Sequence, residues 1–210
     1  MMSSVVARML AQRALSGPPM STLGIKAPAT GWILFLDFDG TTSPIQWLGD
    51  PHQNQEALLG SIQDAERELG CCSIVVSSAW KRYRSRAEII AGMPEWMSSR
   101  VVGATPDVEG DQVTPGSRSE EVNGALVAMS WEGPWVALDD LAELFRQEHF
   151  PKLLVVDARK GAGADLGPRL VESARFVLRP GPDSDCSMQV YGPQAGKLRM
   201  SLGGAEKMTK

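Results

Sequence analysis

The chain has 210 residues, a net charge of −4 and a hydrophobic fraction of 43%. That suits one globular domain with a sizeable core, with room for tails. The acidic balance argues against a general nucleic-acid binder but leaves room for a local basic patch. The cysteines, Cys71, Cys72 and Cys186, are odd in number and two are adjacent, so they do not form a disulfide framework. With two histidines and no CxxC, a zinc site has little support. No apolar stretch approaches membrane-spanning length. The expectation is a soluble protein of a reducing compartment, the cytoplasm, with no membrane partner; the oligomeric state is not legible.

Residues 1–30 carry Arg8, Arg13 and Lys26 and no acid. Val5, Val6, Met9, Leu10 and Leu15 could line a short amphipathic helix that Gly17-Pro18-Pro19 would end. The stretch superficially suits a transit peptide, but a flexible N-terminal extension is the expectation.

Trp32 to Leu36 has no polar residue, as expected of a strand covered on both faces. It runs straight into Asp37-Phe38-Asp39-Gly40-Thr41-Thr42. Ser43 to Asn54, with Pro44, Gly49 and Pro51, reads as a loop. Gln55 to Leu69 reads as a helix with Leu58, Leu59, Ile62, Ala65 and Leu69 on one face, stopped by Gly70. Cys71 to Val76 is a second buried strand, its cysteines read as small hydrophobes, ending at Ser77-Ser78.

Trp80 to Ala91 reads as a basic helix and Arg100 to Val102 as a third strand. Thr105 to Gly116 is a loop. Ser117 and Glu120 then fit a capping box that starts a helix burying Val122, Leu126 and Met129. Trp135 to Leu138 is a fourth strand ending at Asp139-Asp140, with a short helix through Leu141, Leu144 and Phe145 after it. Lys152 to Val156 is a fifth strand, followed by Asp157, and Leu166 to Phe176 is a last helix. From residue 179 the chain turns polar and loses periodicity, so 179–210 is expected to be a disordered tail. The domain proper then spans 31–178.

Strands alternating with helices predict an α/β, Rossmann-like three-layer α/β/α sandwich on a mainly parallel five-stranded sheet. Right-handed crossovers put the strand C-termini on one edge. Asp37 and Asp39, Ser77, Asp139 and Asp140, and Asp157 all fall there, where open α/β sheets place ligands.

The Asp37-Phe38-Asp39-Gly40-Thr41 stretch resembles the DxDGT signature of the haloacid dehalogenase (HAD) superfamily, mostly Mg2+-dependent phosphohydrolases. Ile74-Val75-Val76-Ser77-Ser78-Ala79-Trp80-Lys81 adds a resemblance to a subgroup. So do Arg118 with Glu121-Val122, Val136 to Asp140, and Val155-Val156-Asp157 with Lys160-Gly161. That subgroup is the small HAD domains related to Swiss-army-knife RNA repair proteins. The resemblance covers about residues 32–176 and implies a phosphatase working through an aspartyl-phosphate. Asp37 would be the nucleophile. Asp39 would be the general acid/base, with its backbone carbonyl on the metal. Ser77 would bind the phosphoryl group, and Asp139 and Asp140 would complete the Mg2+ site. A basic residue should neutralise the phosphoryl group; Arg118 is the first candidate and Lys81 its rival. The family more often uses lysine here, so an arginine is a departure.

The two positions where HAD enzymes insert a cap hold only Thr41 to Asn54 and about residues 103–116, so no cap domain is expected. An open site suits a large phosphorylated substrate. Nucleic acid is one candidate, contacted by Lys81, Arg82, Arg84, Arg86 and Arg100 with Trp80 and Trp96. The alternatives are a non-catalytic HAD-fold binding or regulatory module and a receiver-like domain.

Overall fold

Five apolar runs become one parallel sheet because each is too hydrophobic to leave either face in water. The computed structural model describes residues 17–42, 51–108, 114–162, 166–178 and 189–190. The strands are β1 (Trp32–Leu36), β2 (Cys72–Val76), β3 (Val101–Ala104), β4 (Trp135–Asp139) and β5 (Leu153–Val155). They pair in parallel, as the alternation of strands and helices predicts, and the order is β3-β2-β1-β4-β5. A short sixth strand, β6 (Gln189–Val190), joins the β5 edge from within the stretch expected to be a tail.

Alternate side chains of β1 face opposite ways. Trp32, Leu34 and Leu36 pack in one core, with Leu58, Ile62 and Ala65 of α1 (Pro51–Leu69) and Leu166 and Leu170 of α5 (Leu166–Leu178). Ile33 and Phe35 pack in the other, with Val122, Ala125 and Met129 of α4 (Ser117–Met129). The result is the expected three-layer sandwich. Among the described residues no helix is long and apolar enough to cross a membrane.

Several local expectations need correction. The basic helix over 80–91 is broken. A 3-10 turn spans Ala79–Arg82, and only α2 (Arg86–Ala91) is α-helical, followed by the short α3 (Glu95–Ser98). Ser85 causes the break, because its hydroxyl accepts from the Glu88 amide while the Glu88 carboxylate reaches back to the Ser85 amide, a full capping box. The capping box expected at Ser117 is absent. Gly116, at φ +84°, is the N-cap, and the Glu120 carboxylate pairs instead with Arg146. The helix expected after Asp140 is a 3-10 turn, Ala142–Leu144. Cys72 is buried as expected, but Cys71 precedes the strand and is exposed.

The N-terminal extension is in part packed. Met20 is buried and its amide donates to the Arg84 carbonyl (2.9 Å), while the Lys26 amide donates to Val102 of β3 (3.4 Å). The possible helix over residues 5–15 and most of the loop after Thr42 lie outside the described residues.

Candidate active site

The sheet delivers three polar residues to one edge. The Asp37 amide donates to the Leu138 carbonyl (3.1 Å), and the Ser77 amide donates to the Leu36 carbonyl (2.9 Å). The ladder therefore runs one residue past β1, to Asp37, and one residue past β2, to Ser77, and sets Asp37 between Ser77 and Asp139. Asp37, Asp139 and Asp140 are all buried, and one carboxylate oxygen of each lies within 4.8 Å of the others.

Gly40 makes room for this approach. It sits at φ +78°, and a Cβ there would fall 2.3 Å from Asp140 Oδ2. The turn it begins is tied down by the Thr41 and Thr42 amides, which both donate to the Phe38 carbonyl. The Thr41 hydroxyl donates to Asp37 Oδ2 (3.4 Å), a contact that the motif contained but that had been given no role.

α4 lies over the Asp37 face and supplies the cation. Arg118 Nη2 is 3.7 Å from Asp37 Oδ1, and its Nε is 3.3 Å from Asp139 Oδ2. The second contact is an ion pair without hydrogen-bond geometry, so both atoms stay without a hydrogen-bond partner among the described residues. Asp139 Oδ1 is committed, accepting from the Leu141 amide (2.9 Å). The Ser77 hydroxyl is buried and, among the described residues, also has no hydrogen-bond partner.

Lys81, the rival cation, points elsewhere. It is fully buried, with Nζ 2.9 Å from Glu121 Oε1, 3.1 Å from Asp107 Oδ1 and 3.1 Å from the Pro106 carbonyl. Burial pulls its pKa down even though Glu121 and Asp107 oppose this. Glu121 is the residue whose role went unread. Besides Lys81, it takes Arg82 Nη2 (2.9 Å) and Arg118 Nη1 (3.0 Å). Its only sequence signal was its place one helical turn after Arg118.

The electrostatics are those of crowded, desolvated acids. Burial, and then the Asp139 charge, push the Asp37 carboxyl well above the usual range. Burial lifts Asp139 to about 6 although Arg118 opposes it. Burial and then Asp139 lift Asp140 to about 7. A hard divalent cation fits this set, since oxygen donors of net negative charge converge and one buried oxygen, Asp139 Oδ2, lacks a hydrogen-bond donor among the described residues. The Asp39 side chain is outside the cluster; it is exposed, and Oδ2 accepts from Trp80 Nε1 (2.8 Å). Asp157 is also outside, its Oδ1 accepting from the Arg159 amide (3.0 Å).

The basic patch considered for nucleic acid is largely engaged within the fold. Arg82 pairs with Asp107 and Glu121, Arg100 pairs with Glu66, and Arg86 donates to the Val101 carbonyl. Trp96 packs against the core.

The family model described as the HAD domain in Swiss Army Knife RNA repair proteins matches residues 33–163. Comparison with curated proteins and with solved structures finds no match.

Proposed function

The chain belongs to the family of HAD domains in Swiss Army Knife RNA repair proteins, and from that premise we propose that it is a Mg2+-dependent phosphohydrolase working through an aspartyl-phosphate. The observation that carries this is the convergence of Asp37, Asp139 and Asp140 within 4.8 Å at one sheet edge, with Arg118 beside them.

Asp37, Asp139 and Asp140, with the Asp39 backbone carbonyl, would hold Mg2+, whose charge offsets the repulsion between a carboxylate and a phosphoryl group. A carboxylate oxygen of Asp37 bonds to phosphorus as the bond from phosphorus to the leaving oxygen breaks, and Asp39 gives that oxygen its proton. Asp39, now ionised, takes a proton from water. The water oxygen bonds to phosphorus, the bond from phosphorus to Asp37 breaks, and both carboxyl groups return to their starting states. The Arg118 guanidinium and the Ser77 hydroxyl would bind phosphoryl oxygens, which would give that hydroxyl the partner it lacks. Lys81 has a supporting part at most, through Glu121.

The short segments after Gly40 and after β3 favour a capless site and a large phosphomonoester, with the phosphorylated end of a nucleic acid as one candidate. The test is a phosphatase panel with Mg2+, containing p-nitrophenyl phosphate and 5′- and 3′-phosphorylated oligonucleotides. Hydrolysis should disappear with EDTA and fall at least about a thousandfold in Asp37→Asn. A purified, folded protein inactive on the whole panel would overturn the proposal and leave the non-catalytic module.

A further inference from the structure

Trp80 follows the end of β2 in a tightly held turn. The Ser78 hydroxyl accepts from its amide (3.5 Å), and its carbonyl accepts from the amides of Tyr83 (3.1 Å) and Arg84 (2.9 Å). Lys81, the next residue, is buried in ion pairs with Glu121 and Asp107. The indole therefore sits on an anchored backbone.

The surroundings of the ring are also occupied. The Arg84 guanidinium carbon stands 3.9 Å over the ring centroid. The Phe38 ring packs at a 58° tilt with its centroid 5.4 Å away. The polar edge donates from Nε1 to Asp39 Oδ2 at 2.8 Å. An indole flanked in this way is poorly placed as a platform for an incoming base, and its one polar atom is committed to Asp39.

We propose that Trp80 is a positioning residue that holds Asp39 for proton transfer; this rests on the reading of Asp39 as the general acid/base. An exposed aspartate with no partner samples several rotamers, and proton transfer needs one of them. Indole N–H can only donate. It therefore does not compete for the acid's proton, and it can stay bonded to Oδ2 whether the carboxyl is neutral or ionised. Oδ1 is left to carry the proton out to the leaving oxygen and back from water. The same bond thus serves both halves of the reaction.

The leaving group supplies the test. A nitrophenolate departs without a proton, whereas an alkoxide needs one, so misplacing the acid hurts alkyl esters selectively. In Trp80→Phe, kcat/KM, which reports the phosphorylation half alone, should fall about tenfold more for glycerol 2-phosphate than for p-nitrophenyl phosphate. An equal fall on both substrates, or no fall, overturns the proposal. A second measurement does not depend on turnover or on that variant's folding. The Trp80 indole proton resonance should move upfield in Asp39→Ala, as its hydrogen bond is lost. An unmoved resonance overturns the proposal. If wild type hydrolyses nothing while the resonance moves, the phosphatase reading has failed and the Trp80–Asp39 contact stands.

Discussion

Glu121 accepts a 3.0 Å hydrogen bond from Nη1 of Arg118, one turn earlier on α4. The same carboxylate, almost wholly buried, faces Lys81 and Arg82. Removing it takes a shared carboxylate from three cations, one of them fully buried. Glu121→Ala should cost about 3–5 kcal/mol in urea unfolding, and Glu121→Gln clearly less, because the amide still offers an acceptor of the same shape. Equal stability of Glu121→Ala and wild type would remove Glu121 as the anchor of Arg118.

Ser77 should separate stability from activity. Its hydroxyl is buried with no hydrogen-bond partner among the described residues, which costs about 1–3 kcal/mol relative to a satisfied group. Ser77→Ala removes that burden, so the variant should unfold at the same temperature as wild type or a higher one. On the proposed phosphatase reading, activity should drop, mainly through a higher KM. A clear loss of thermal stability would mean that the hydroxyl has a structural partner, and unchanged KM would count against phosphoryl binding.

The acidic cluster predicts an unusual pH response. In the fold Asp139 titrates at about 6 and Asp140 at about 7, against an ordinary 3.8. Between those values the native state keeps protons that the unfolded chain has released. Their contribution to stability is therefore full below the ordinary value and is lost as pH rises toward 7. Each raised unit corresponds to about 1.4 kcal/mol. His149, lowered by burial, acts the other way below its ordinary 6.5. The comparison is accordingly made with and without Mg2+ at each pH. The gain in Tm on adding Mg2+ should be larger at about pH 7.5 than at about pH 5, because bound metal competes with the cluster's protons. An equal gain at both would contradict a metal site on these residues.

The parallel sheet and the Asp37–Asp139 edge were legible because they rest on long-range hydrophobic patterning and on residues just after each strand. The misreadings share a cause in local side-chain competition. Ser85 could cap a helix as well as sit inside one, and Glu88 at the right spacing decided the matter. Ser117 had Glu120 at the same spacing, but Arg146, distant in sequence, took that carboxylate. Lys81 sits beside the motif that ends β2, yet the turn aims it at Glu121. Side-chain aim across 40 residues of sequence leaves no trace in periodicity. Glu121 itself looked like one more acid on a helix until Lys81 and Arg82 arrived from the turn after β2.

The register Leu36↔Leu138 makes Asp37 and Asp139 neighbours although about a hundred residues separate them in the chain. A slip of one residue would turn Asp139 to the opposite face and dismantle the pair. Before β1 and β4 have paired, no collapsed chain holds this cluster. A cation that recognises it thus acts as an assembly sensor, binding only molecules whose central strands have zipped correctly. Were Mg2+ bound there as proposed, chelation would accelerate unfolding as well as silence chemistry, because the ion would hold together the two strands whose pairing creates its seat.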